Sequence, residues 1–313
     1  MPNWNEVLGE INQQRTGWAA FNALDHVRRK YLKLLSEFTG RPTIAYYSGW
    51  ISRSPNTPNI SINDGDKNAF MAVIHGADKK KGLDLILHTP GGSLAAAESI
   101  VDYLRRVFGH DIRAIVPQIA MSAGTMIACS CTKIVMGKES NLGPIDPQFN
   151  GMPANGVISE FERAIEEIKK DPHRLAAWQM IIGKYHPTFL GECRNAIEWS
   201  EKCVESWLQT GMFKGDKQAL RKAQKIVKEL SDSNKTKSHS RHIHIDACEK
   251  MGLKIVRLED DNALQDLVLT VHHAFMQTFS EVPQLVKIVE NERGIGMLMN
   301  QGQANPSPGQ RLP

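Results

Sequence analysis

The chain has 313 residues, 41% of them hydrophobic and 23% charged, with a formal net charge of +4. That length holds one large domain or two smaller ones with a sizeable core, and the composition excludes a disordered or fibrous chain. A charge this small gives no reason to expect nucleic acid or a membrane surface as partner. Met1-Pro-Asn-Trp-Asn-Glu carries no basic segment leading into an apolar one. No apolar run approaches the roughly 18 residues of a membrane span, so neither a signal peptide nor a span is expected. Cys129, Cys131, Cys193, Cys203 and Cys248 are few and odd in number. They read as reduced, mostly buried thiols of a cytoplasmic protein.

Along the chain, residues 1–40 form an expected helical arm, with Leu24, Val27, Tyr31, Leu34 and Leu35 at helical spacing. Thr43–Ser48 reads as a strand, and a polar loop leads to a helix over Lys67–Gly76. A regular alternation follows: strand Leu83–His88, helix Ser93–Phe108, strand Ile112–Gln118, helix Ser122–Cys131 and a strand from Lys133. Such alternation predicts βαβ units, an α/β fold and a mainly parallel sheet. Residues 157–232 turn helical and charge-rich, with Ser159 and Glu162 as a capping box for a helix to Lys170. Its expected core stripe is Phe161, Ala164, Ile165 and Ile168. Helices are also expected over Cys193–Leu208 and Lys217–Leu230. Ser231–Ser240 is polar and flexible, Asp246 caps a short helix ending at Gly252, and Leu253–Val256 is a last strand. A helix covers Leu264–Phe279. The domain expectation is an arm over 1–40, a main domain over 41–280 with a helical insertion at about 157–232, and an extension over 281–313, disordered from about 301.

Two βα turns carry the chemistry. Leu85-Ile-Leu-His-Thr-Pro-Gly91-Gly92 is a strand ending in a Gly-Gly turn, and Ile119-Ala-Met-Ser122-Ala-Gly places a serine on the next strand-to-helix turn. Ligands bind beyond the carboxyl ends of such strands. Ser122 is a candidate nucleophile, and the N–H groups of Gly91, Gly92 and Ala123 are candidate oxyanion donors. Alone, Ser122 reads equally as a helix N-cap, and Gly91-Gly92 as a simple turn. Their succession on consecutive βα units favours acyl transfer.

His88-Thr-Pro-Gly-Gly-Ser, Met121-Ser-Ala-Gly-Thr and Leu142-Gly-Pro-Ile-Asp-Pro-Gln together resemble the serine dehydrogenase proteinase family. That family groups with signal peptide peptidase A-like and Clp protease-like serine peptidases of the crotonase fold. The resemblance covers roughly residues 40–280. It implies a spiral of βαβ units, hydrolysis of peptide bonds in a peptide or protein substrate, and a homo-oligomer. No nicotinamide fingerprint is present, and no cofactor is expected. Peptidases of the signal peptide peptidase A type pair serine with a lysine near the start of a later long helix. That points to Lys184, in Ile181-Ile-Gly-Lys-Tyr-His-Pro. Lys184 must be neutral to accept a proton. The Clp-type pattern needs a histidine in the loop after the serine helix. That loop here, Gly143-Pro-Ile-Asp146-Pro-Gln148, has none. Asp146 is left as an orienting group, and His239 and His242 as alternative bases.

Other readings carry less. His242, His244 and Asp246 share one face of an extended segment, but Asp246 already fits a cap and no fourth metal ligand is evident. His272-His273 reads as a helix position with one ring buried and one exposed. The basic helix Lys217–Lys228 lacks the interleaved aromatics of a nucleic-acid site. The rival function classes are an inactive scaffold on a peptidase fold and acyl-CoA chemistry on the same fold.

Overall fold

The computed structural model describes residues 4–15, 20–54, 56–149, 151–232 and 238–302. The described residues form a seven-stranded sheet in the order β10-β5-β3-β2-β1-β11-β12. Its strands are β1 (Thr43–Ser48), β2 (Leu83–His88), β3 (Ile112–Val116), β5 (Lys133–Met136), β10 (Ile255–Arg257), β11 (Leu285–Asn291) and β12 (Gly296–Asn300). From β10 to β1 all neighbours are parallel, whereas β11 and β12 join antiparallel. The sheet is therefore mixed, its parallel part being the alternating segment that the sequence pattern predicts.

Continuous apolar runs form these strands because both faces are covered. Side chains alternate between two cores. Ile44, Tyr46, Leu85, Leu87, Ala114, Val116, Ile134 and Val289 enter one core. It is roofed by α3 (Gly65–Ile74), α4 (Leu94–Phe108), α5 (Ala123–Cys129), α8 (Phe189–Thr210) and α9 (Ala219–Ser231). Ala45, Tyr47, Ile86, Ile115, Val135 and Ile288 enter the other. There α1 (Trp4–Arg15) and α2 (Ala20–Thr39) pack with α11 (Asn262–Glu281). Arg28 on α2 is fully buried and donates to Glu290 of β11 at 2.9 Å, which ties this layer to the sheet.

Several expectations are corrected. The 281–313 stretch is not merely appended, because β11 sits inside the sheet between β1 and β12. The expected disorder from residue 301 falls mostly on 303–313, outside the described residues. So do residues 233–237 of the polar Ser231–Ser240 stretch. The predicted strand Ile112–Gln118 ends at Val116, and Ile119–Ala120 forms a separate β4 in a second sheet. Helix α6 (Ala154–Lys170) starts behind Pro153, so Ser159 lies inside it and does not cap it. Its buried face is Ala154, Val157 and Ala164, and Ile165 stays exposed. α10 (Ile245–Met251) is entered through His244, while Asp246 pairs with Arg257 at 2.8 Å. The five cysteines are free and buried. Among the described residues no helix is long and apolar enough to cross a membrane.

Candidate active site

The Gly-Gly turn and the serine turn are joined backbone to backbone. Thr89 N–H donates to Ile119 O (3.1 Å), and Met121 N–H donates to Thr89 O (3.0 Å). Gly91 and Gly92 hold φ of +97° and +150°, which only glycine adopts readily. A Cβ on Gly91 would lie 2.6 Å from Ser122 Cβ, and one on Gly92 would lie 2.4 Å from the Ile62 backbone. These glycines let the two turns touch. Ser122 itself holds φ +51°, ψ −119°, a left-handed conformation unusual for a residue with a side chain. Its hydroxyl makes no capping bond to α5. The N-cap explanation for this serine therefore fails, and the turn presents the side chain, half-exposed, above the helix start.

The donors near this hydroxyl are not equivalent. Gly91 N–H is already bonded to Thr89 Oγ1 at 3.1 Å, so it differs from the free donor the sequence suggested. Among the described residues, the N–H groups of Gly92 and Ala123 meet no acceptor. The Cβ position on Gly91 is 3.1 Å from Ala123 N, so these two turns line one small space.

A three-stranded sheet delivers the remaining groups. β4 runs parallel to β6 (Asn141–Leu142), and β9 (Ile243–His244) runs antiparallel to β6. Ala120, Leu142 and Ile243 are in register. Ser122 follows β4, Asp146 follows β6, and His239 precedes the antiparallel β9. All three thus leave the same end of the sheet, whose neighbouring strands are about 4.8 Å apart. Buried Thr125 braces it: Oγ1 donates to Ala120 O (2.7 Å) and accepts from Gly143 N–H (2.9 Å). Ile145 N–H bonds Leu230 O at 3.0 Å, holding the Asp146 loop against α9.

His239 Nδ1–H donates to Asp146 Oδ1 at 2.9 Å. The carboxylate is 2% exposed and the imidazole 24%. Such a bond fixes the tautomer and leaves Nε2 available to accept a proton. The sequence offered both residues as reserves but not as a couple. They lie 93 positions apart, and no local spacing signals the contact. Lys184 is exposed in the turn between α7 (Leu175–Ile182) and α8. Among the described residues no hydrogen bond or ion pair of its ammonium is found. His242 is exposed just ahead of β9. His244 serves as the entry to α10, and no cluster of His, Cys, Asp or Glu suited to a metal occurs among the described residues.

Burial places a further histidine behind the site. His88 is wholly buried at the end of β2, its Nδ1–H donating to Ser48 O at 3.0 Å with the Gln118 amide 3.1 Å from Nε2. Desolvation lowers its pKa to about 4, so it stays neutral and supports the turn rather than transferring protons. His272, also buried, is lowered for the same reason, and its ring lies 5.4 Å from that of His88.

The profile of a family described as ClpP-like SDH-type serine proteinase matches residues 55–277. An uncharacterized protein of Methanocaldococcus jannaschii is 31% identical over 196 residues, covering 63% of this chain and 60% of that protein. A second uncharacterized protein of the same organism is 27% identical over 198 residues, 63% of this chain and 59% of its own length. The chain thus spans about three fifths of the length of these archaeal relatives. The proteolytic subunit of the ATP-dependent Clp protease from Lactococcus lactis is 37% identical over 75 residues, 23% of this chain and 37% of that subunit.

Proposed function

The chain belongs to the ClpP-like SDH-type serine proteinases, and from that premise we propose that it hydrolyses peptide bonds, with Ser122 as nucleophile and His239, oriented by Asp146, as general base. The observation that carries the reading is the left-handed turn at Ser122, which leaves an uncapped hydroxyl on a turn packed directly against Gly91 of the Gly91-Gly92 turn. The choice of base is supported by the His239–Asp146 hydrogen bond and the shared sheet end.

In this reading Ser122 Oγ attacks the scissile carbonyl as His239 Nε2 takes its proton. The new C–O bond forms while the carbonyl electron pair moves onto oxygen. Gly92 and Ala123 N–H groups hold that oxyanion. His239 then protonates the amine as the C–N bond breaks, and water repeats the sequence on the acyl-enzyme. Asp146 stabilises the imidazolium without accepting the proton. The substrate would be an unfolded peptide or protein segment bound as an added strand, and the working form an oligomer of this chain.

The Ser122–Lys184 dyad is the competing mechanism. A fluorophosphonate with intact-mass detection separates the two. Wild type gains one adduct, and Ser122→Ala gains none. His239→Ala slows labelling by about 100-fold or more, the usual range for loss of a general base, while Lys184→Ala labels at the wild-type rate. The reverse pattern would establish the dyad, and an unlabelled but folded wild type would favour the scaffold reading.

A further inference from the structure

We propose that the fully buried ion pair Lys287–Asp66 is a positioning device for the oxyanion loop, setting Gly92 through the backbone of Ser61–Asn63. The inference rests on the reading above, in which Gly92 N–H receives the developing charge. Lys287 belongs to β11 and Asp66 to the first turn of α3, and both are 0% exposed. Lys287 Nζ donates to Asp66 Oδ1 at 2.7 Å and to Ser61 O at 2.9 Å. Asp66 Oδ2 accepts from Asn63 N–H at 3.0 Å and from the Tyr46 hydroxyl at 2.7 Å. The pair therefore grips the chain on both sides of Ile62.

Ile62 in turn holds the glycine loop. Its N–H donates to Gly91 O at 2.8 Å, and its carbonyl accepts from Ser93 N–H at 2.9 Å. This is a one-residue parallel bridge across Gly92. In such a bridge the central residue's own N–H points away from the partner strand. Gly92 N–H is thereby turned from Ile62 and kept unbonded. The missing side chain at Gly92 allows the approach, since a Cβ there would collide with Ile62 N and O.

Stability alone does not account for the pair. Buried ion pairs can often be replaced by apolar residues of similar volume without loss of stability. An apolar pair could neither donate to Ser61 O nor accept from Asn63 N–H. What the charges add is a fixed backbone at residues 61–63.

The test compares wild type with Lys287→Met and with the double variant Asp66→Leu/Lys287→Met, which leaves no unpaired charge. Fluorophosphonate labelling of Ser122 is timed on protein shown folded by circular dichroism. Amide hydrogen exchange is followed in segments 59–66 and 89–97, with β3 and β5 as internal references. The expected result for the double variant is labelling slowed at least tenfold and faster exchange in the two segments only. A folded double variant that labels within twofold of wild type overturns the proposal. Exchange accelerated throughout the sheet also overturns it, in favour of a purely structural role. If wild type itself does not label, the Ser122 reading fails, and the exchange in 89–97 alone decides whether the pair positions the loop.

Discussion

Ser122 keeps φ at +51° although it carries a side chain, and such a conformation costs on the order of 1–3 kcal/mol. The surrounding structure must supply that energy, and glycine would release it. Ser122→Gly is therefore expected to be more stable than Ser122→Ala by about 1 kcal/mol in urea unfolding, while both remain unlabelled by fluorophosphonate. Equal stabilities would mean that the turn relaxes once the hydroxyl is gone. His88 supports the same region through its neutrality. Its folded pKa is lowered to about 4, so between about 6.5 and 4 only the unfolded histidine binds a proton. Stability is complete above that window and is lost as pH falls through it, by on the order of 3 kcal/mol in all. His272, Tyr47 and Gln118 pack against it, and His272 shifts in the same direction. Urea titrations at pH 7.5 and pH 4.5 should show the fall, and His88→Asn should flatten it. An unchanged slope in that variant would assign the pH dependence to other groups.

At the scale of elements, the serine turn is held by its neighbours rather than by α5, which is only seven residues long. Thr125 joins two of them to α5, bonding Ala120 O and Gly143 N–H at once. Thr125→Val keeps the shape but leaves the buried Gly143 N–H without an acceptor, at a cost of about 1–3 kcal/mol. It should also slow labelling of Ser122, because the Asp146 loop begins at Gly143. Unfolding with an unchanged m-value, measured beside the labelling rate, checks both effects. The legibility of the site follows the same division. Gly91-Gly92 and Ser122 could be read because each terminates an apolar strand with residues that only a tight turn requires. The couple Asp146–His239 could not, because β6 and β9 are two-residue strands with no periodicity, paired across about a third of the chain. Lys184 was offered from its place ahead of a long helix, a position that by itself does not say what the side chain meets. Ser159 and Glu162 satisfied a capping pattern inside α6 because Pro153 had already started that helix.

In the whole molecule, side chains along β1, β2, β3 and β5 alternate between two cores, and the parallel βαβ part that they build was written in the alternation of strands and helices. The antiparallel end of the sheet was not, because Leu285–Asn291 resembles an isolated apolar stretch until β1 is placed beside it. Yet β11 pairs with β1 over five register positions, buries Lys287 and Glu290, and carries β12. A chain cut after Glu281 should therefore be recovered mainly in the pellet, with β1 left as a bare edge, whereas a cut after Gly302 should leave a soluble protein that melts like wild type. Equal solubility of the two would show that the sheet closes without β11. The dependence also orders events on the ribosome. β1 is among the first strands to be synthesised, and its antiparallel neighbour is made more than two hundred residues later. The Ser61 carbonyl, one residue before the Ile62 that bridges Gly92, likewise waits for Lys287 on that same late strand. A nascent chain of this protein thus holds Ser122 long before it holds the strand that steadies the loop beside that serine.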